Sequence, residues 1–313
     1  MDPAPQDQPP TTVRTDDGVD LHVEVDGRSD APVTVVLSHG FTARVGEWDR
    51  QRDALRDRAR LVLWDQRGHG RSGWTRLTRA TIDRTGRDLG QVLDAVVPEG
   101  PVVLAGHSMG GMSVMALARQ RPELFGSRVV GVFLLATSAR GLVRTGMAGL
   151  AVRVLRRLGL LSLYLWLLQA LAPFLERHRR RGTRIGRWYI RRYLFGRDDA
   201  DPASVREVQD LLEETPLPVT MAFYATFLEH DESAALPVLG RVPVTVVAAT
   251  HDQLTPLAHG RWLAEGIGGS AELVVVEGAG HSVNLTRSAA VDAAFLRLLD
   301  RVEAGARDQR RAG

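Results

Sequence analysis

Short, uninterrupted apolar runs recur along this chain, each rich in β-branched residues and each followed at once by polar or glycine-rich residues. Val33-Thr34-Val35-Val36-Leu37, Leu61-Val62-Leu63-Trp64, Val102-Val103-Leu104-Ala105 and the stretch from Val129 to Ala136 are of this kind. A strand with one wet face alternates, so unbroken runs predict strands covered on both faces. Between them, Thr81 to Val97 carries Ile82, Leu89, Val92, Leu93 and Val96 close to a 3.6-residue period, which predicts a helix closed by Pro98 and Gly100. Trp48 to Arg58 and Gly110 to Gln120 also have helical spacing. Upstream, Val13 to Val25 alternates apolar and polar residues around Asp16-Asp17-Gly18, which predicts two strands in a hairpin. Strands alternating with helices predict an α/β protein, a mostly parallel central sheet with helices on both faces.

That rhythm stops near Ser138 and returns at Val242, where Pro243 to Ala248 and Glu272 to Val276 read as strands flanking a helix from Leu257 to Gly266. Ala289 to Glu303 reads as an amphipathic closing helix. The organisation expected is a core formed by residues 13–137 and 236–303, a helical cap insertion at 138–235, and a polar tail at 304–313 that frays. Residues 1–12, rich in Pro, Gln and Asp, read as a flexible leader. They have neither a basic start nor an apolar run of signal-peptide length, so a cytoplasmic protein is expected.

Composition adds two constraints. The chain of 313 residues has no cysteine, which excludes disulfides, thiolate nucleophiles and cysteine-ligated metals. Its net charge of +3 is unevenly placed: 14 arginines face one acid, Glu176, between Arg140 and Arg197, so the remainder is net acidic. Within that segment Leu158 to Leu175 is mostly apolar and approaches the length of a membrane span. Gly159, Ser162, Gln169 and Pro173 argue against a span, as does the need for both ends of the insertion to return to one sheet. The readings left are helices that pack on the core, or helices lining an apolar pocket. In the latter, Arg177 to Arg181, Arg187, Arg191 and Arg192 face anionic lipid headgroups in peripheral membrane contact. Arginines interleaved with Trp188, Tyr189 and Tyr193 also suit nucleic acid, but no nucleic-acid fold motif accompanies them, and no nucleic-acid partner is expected.

The chemistry concentrates where Val102–Ala105 breaks into Gly106-His107-Ser108-Met109-Gly110. Strand, sharp turn and helix put a serine at an apex, and glycines on either side leave room for the crowded backbone. In sheets of this type ligands bind at the carboxyl ends of the strands. Three further strand ends carry chemistry: Asp252 follows Pro243–Ala248, His281 follows Glu272–Val276, and His39-Gly40-Phe41 follows Val33–Leu37. Serine is a poor nucleophile until an imidazole takes its proton, and the imidazole needs a carboxylate to fix its tautomer. Ser108, Asp252 and His281 supply these in that chain order, and the Phe41 and Met109 amides are placed to form an oxyanion hole. Each has a plainer reading, Asp252 as a helix cap beside Thr255-Pro256 and His281 as a turn residue. His39 and His107 read as structural hydrogen-bonders. His69, His178, His230, His251 and His259 show no paired ligand spacing, so no metal is expected.

These residues resemble the α/β-hydrolase fold superfamily, in its lipase, esterase and monoacylglycerol-lipase-like branch. The likeness rests on His39-Gly40-Phe41, Asp65-Gln66-Arg67-Gly68-His69-Gly70-Arg71-Ser72, Gly106-His107-Ser108-Met109-Gly110-Gly111, Asp252 with Pro256, and Gly280-His281. It covers the core and not the cap. It implies Ser108 as nucleophile, His281 as general base, Asp252 as its orienting acid, Phe41 and Met109 as oxyanion donors, the Asp65–Ser72 loop as a structural turn, and no cofactor. Serine at 108, where dehalogenases and epoxide hydrolases of the superfamily carry aspartate, speaks against those activities. The expected reaction is hydrolysis of a small-molecule carboxylic ester, with lipid-like acyl esters such as monoacylglycerols or lysolipids favoured by the cap. Thioesterase, amidase, C–C bond hydrolase and perhydrolase use the same triad. A non-catalytic ligand-binding module would have no need of all three residues.

Overall fold

The computed structural model describes residues 11–74, 77–142, 146–179, 183–196 and 201–312. Its strands are β1 (Thr11–Arg14), β2 (Asp20–Gly27), β3 (Thr34–Ser38), β4 (Arg60–Trp64), β5 (Val102–His107), β6 (Val129–Leu135), β7 (Val244–Ala249) and β8 (Ala271–Val276). They form one sheet in the order β1-β2-β4-β3-β5-β6-β7-β8. β2 is antiparallel to β1 and to β4, and every other neighbouring pair is parallel. Helices α1 (Asp49–Leu55), α2 (Ile82–Val96) and α3 (Met109–Gln120) alternate with the first strands.

The unbroken apolar runs are explained by what covers them. Along β5, Val102 and Leu104 pack with Leu89, Val92 and Leu117 of α2 and α3. Val103 and Ala105 point the other way, toward Phe133, Phe295 and Leu298. The Phe133 and Phe295 rings stack with centroids 4.1 Å apart. β1 begins inside the expected leader, at Thr11, because Thr11 and Thr12 pair with Val23 and His22 of β2. Only Val13 of β1 is buried, too little to make a pattern; residues 1–10 lie outside the described residues. The helix expected from Trp48 opens as a 3₁₀ turn, Val45–Trp48, and α1 ends at Leu55, whose carbonyl accepts from the Arg58 and Ala59 amides as the chain turns into β4.

Between β6 and β7 run α4 (Gly146–Arg157), α5 (Leu161–Arg177), α6 (Arg184–Tyr189), α7 (Pro202–Glu214), α8 (Leu217–Phe227) and α9 (Leu236–Leu239). The ends of this insertion meet: Arg140 and Asp231 form an isolated antiparallel bridge, and the Glu232 amide donates to the Ala139 carbonyl at 2.7 Å. His230 Nε2 bonds the Ser138 carbonyl and His259 Nδ1 the Ser138 hydroxyl, so both histidines serve this junction. No described helix is long and apolar enough to cross a membrane. After β7 come α10 (Leu257–Ile267), α11 (Val283–Thr286) and α12 (Ser288–Ala312). α12 runs through the segment expected to fray as a tail, helped by an Arg307–Glu303 pair at 3.2 Å on adjacent turns.

Candidate active site

Ser108 sits between β5 and α3 with φ 49° and ψ −115°, a backbone conformation that non-glycine residues rarely adopt. Its surroundings hold it there. The Ser108 amide donates to the Leu135 carbonyl at 2.9 Å, and the Thr137 hydroxyl donates to the Ser108 carbonyl at 2.6 Å. The flanking glycines are required by close approach: a Cβ on Gly106 would lie 2.3 Å from the Gly110 carbonyl carbon, and one on Gly110 would lie 2.1 Å from the Ser38 carbonyl oxygen.

The loops after β7 and β8 bring two more groups to the serine. His281 Nε2 lies 2.9 Å from Ser108 Oγ, and His281 Nδ1 lies 2.8 Å from Asp252 Oδ2. Both oxygens of Asp252 are further engaged: Oδ1 accepts from the Leu254 and Thr255 amides at 2.8 and 2.9 Å, and Oδ2 from the Thr255 hydroxyl at 2.7 Å. Burial pushes the Asp252 carboxyl up, but the facing His281 ring and the Thr255 donors outweigh it and hold it below the ordinary carboxylate value. The His281 loop is itself braced by the insertion. The Ser282 amide donates to the Leu194 carbonyl at 2.8 Å, and a Cβ on Gly280 would lie 2.3 Å from the Gly196 nitrogen.

Among the described residues the amides of Phe41 and Met109 donate to no acceptor. Met109 opens α3, where unpaired N–H groups and the helix dipole favour negative charge. The turn before Phe41 is pinned by the Asp65–Ser72 loop. His39 Nδ1 donates to the Gly40 carbonyl at 2.7 Å while Nε2 accepts from the Gln66 amide at 2.9 Å. Asp65 accepts from the Val45 and Arg71 amides, each at 2.8 Å. His69 packs beside Phe41 and Phe223, and burial lowers its pKa to about 3, so it adds no positive charge.

One part of the site has no counterpart in the sequence reading. Glu47, on the 3₁₀ turn before α1, reaches under the serine turn: Oε1 lies 3.0 Å from His107 Nδ1, and Oε2 accepts from the Gly40 amide at 2.7 Å. His107 Nε2 lies 3.1 Å from the His281 carbonyl. Facing the ionised Glu47 carboxylate and a carbonyl, both ring nitrogens of His107 meet acceptors, an arrangement that favours the imidazolium form. Burial alone would lower the His107 pKa, but the Glu47 carboxylate reverses this and raises it above 6.5. Burial likewise pushes Glu47 up, and the His107 charge with the Gly40 amide brings it below its ordinary value. The pair links the three loops that carry Phe41, Ser108 and His281.

The pH dependence follows from these directions. The raised His107 contributes stability that is fully present below its unfolded value of about 6.5 and is lost as the pH rises through the higher folded value. The lowered Glu47 contributes above the ordinary carboxylate range and loses its contribution as the pH falls through the folded value. Glu47→Gln removes the counter-charge, so burial turns the His107 ring neutral and the ion pair that ties the loops is lost, an expected cost of about 3 kcal/mol near neutrality. Thermal melting across pH checks this: the variant is expected to melt lower and to lose the alkaline decline of the unmodified protein, and coincident curves would contradict the ion-pair assignment.

Above Ser108 and His281 lies a cavity of about 420 Å³. Its walls are largely apolar and come from the core and the insertion, among them Phe41, Met112, Leu194, Leu211, Tyr224 and Phe227. Arg179 also lines it, held by the Thr215 and Leu212 carbonyls at 3.0 and 3.3 Å. It therefore departs from the outward orientation expected of the basic run from Arg177 to Arg181; Arg180 and Arg181 lie outside the described residues.

A parallel sheet carrying a serine at a strained strand–helix turn, with acid and histidine on later strand ends, defines an α/β hydrolase. The alpha/beta hydrolase family model matches residues 35–294, and the chain belongs to that family. It is similar to the Agrobacterium fabrum protein that carries the name carbamate hydrolase RutD, 28% identical over 274 residues, which is 85% of this chain and 93% of that one. Among solved structures it is similar to the enol-lactonase of Burkholderia xenovorans LB400, with a TM-score of 0.71, 25% identity and coverage of 93% and 100% of the two chains. A thermophilic esterase from Thermogutta terrifontis shares the fold at a TM-score of 0.74 and 22% identity, over 94% of this chain and 99% of that one.

Proposed function

We propose that the protein hydrolyses carboxylic esters through an acyl-enzyme on Ser108. The observation that carries this reading is the continuous line from Ser108 Oγ through His281 to Asp252 at the floor of an apolar cavity. Ser108 Oγ attacks the ester carbonyl while His281 Nε2 takes its proton, and Asp252 stabilises the imidazolium so formed. The Phe41 and Met109 amides receive the oxyanion. His281 then gives the proton to the departing alkoxide, and water, activated by the same imidazole, attacks the acyl carbon and releases Ser108.

The insertion acts as a cap, and its apolar walls favour medium or long acyl chains of the monoacylglycerol or lysolipid type. A buried methylene is worth about 0.8 kcal/mol, so two further methylenes held in the cavity are expected to raise kcat/KM roughly tenfold. A series of p-nitrophenyl esters from acetate to palmitate tests this. A rise from acetate toward the longer chains is expected, and a maximum at acetate would contradict the acyl-pocket assignment while leaving the serine chemistry in place. A small carbamate is the second reading, favoured by the relative that matches over most of the chain. It requires turnover of a carbamate to exceed that of every ester in the series.

A further inference from the structure

We propose that the outer face of α5, with Trp188 and Tyr189, is a docking surface for an anionic lipid bilayer. This deepens the ester reading by naming the source of the substrate, but binding is measured without turnover. Among the described residues, every exposed large apolar side chain except Trp74 lies between Val154 and Tyr189. In α5 the less exposed positions Leu161, Leu165, Leu168, Gln169, Ala172 and Glu176 lie on one side of the helix and form the stripe facing inward, where α5 packs on α8. Leu163, Trp166, Leu167, Leu171 and Phe174 form a second stripe that faces out, with Trp166 62% and Phe174 61% exposed. A helix that is apolar on both faces buries both, and α8 covers only one.

Charge identifies the other partner. Exposed arginines flank the outer stripe along the chain: Arg156 and Arg157 end α4, Arg177 ends α5, and Arg184 opens α6. The one acid within residues 146–196, Glu176, is turned away, accepting from the Leu217 amide at 2.7 Å and lying 3.5 Å from Arg179; Arg156 approaches Glu229 of the neighbouring segment at 3.9 Å. An apolar stripe flanked by arginine matches an interface of acyl chains beneath anionic headgroups. A second copy fits less well, because a two-fold contact through this face sets arginines against arginines. Tyr189, 46% exposed, also lines the cavity above Ser108, so one residue of the exposed apolar set reaches the site itself.

Flotation of the full chain with vesicles of phosphatidylcholine, with and without phosphatidylglycerol, tests the proposal. The expected result is binding to the phosphatidylglycerol vesicles that weakens with salt and exceeds binding to phosphatidylcholine alone by roughly tenfold or more. The triple variant Trp166→Ser, Leu171→Ser, Phe174→Ser is expected to lose at least about tenfold of that binding, and Arg156→Glu with Arg157→Glu to lose both binding and its salt dependence. Thermal melting confirms that each variant is folded, and Ser108→Ala is expected to float like the unmodified protein, which separates docking from catalysis. Absence of flotation, a triple variant that floats normally, or a concentration-dependent dimer that the triple variant abolishes would each overturn the bilayer assignment.

Discussion

Replacing Ser108 by alanine is expected to lower kcat/KM for a p-nitrophenyl ester by roughly 10⁴-fold or more, with melting almost unchanged. Alanine keeps a Cβ at the same backbone angles, and the bonds that hold the turn run through the Ser108 amide and carbonyl and survive the change. What disappears is Oγ, the atom 2.9 Å from His281 Nε2. The amides of Phe41 and Met109 remain to polarise the carbonyl, so residual hydrolysis by water is expected, not acyl transfer. Steady-state kinetics with the variant provides the check. A loss below tenfold would place the nucleophile elsewhere.

The second large effect is expected at Asp252. Its carboxylate oxygens accept four hydrogen bonds, two main-chain amides on Oδ1 and the Thr255 hydroxyl with His281 on Oδ2. An asparagine in Asp252→Asn has one oxygen for them. Because the two amides are fixed donors, the side-chain NH₂ turns toward His281 and donates to Nδ1. That forces the imidazole proton onto Nε2, where it faces Ser108 and cannot accept. The expected outcome is a fall in kcat of roughly 10⁴-fold with KM little changed. A comparable loss of kcat/KM carried by a rise in KM, with kcat unchanged, would assign Asp252 to substrate binding instead.

How far the sequence reaches depends on the range over which each signal acts. The parallel core was legible because strands covered on both faces leave unbroken apolar runs, and a residue that follows such a run lies at the carboxyl edge of the sheet. Ser108, Asp252 and His281 follow β5, β7 and β8 in this way, and the structure brings their side chains within hydrogen-bond reach of one another. Glu47 was not legible. It lies on a short 3₁₀ turn between Gly46 and Trp48, where an acid reads as a solvated residue, and only the folded chain sets it against His107. The inward turn of Arg179 has the same origin, since its acceptors are carbonyls distant in the chain at Leu212 and Thr215. In the insertion, composition announced helices, but α5 is apolar on two faces and periodicity could not say which one α8 covers. β1 escaped because an edge strand with one buried residue has no pattern to show.

Labelling with a fluorophosphonate, followed by peptide mass spectrometry, identifies the nucleophile itself, since phosphorus is attacked only by an activated nucleophile and the adduct stays on the attacking residue. A single adduct on Ser108 is expected, with loss of ester hydrolysis in step with labelling and no adduct in Ser108→Ala. An adduct on another residue, or an enzyme that hydrolyses esters while Ser108 remains unlabelled, would contradict the assignment of Ser108 as nucleophile.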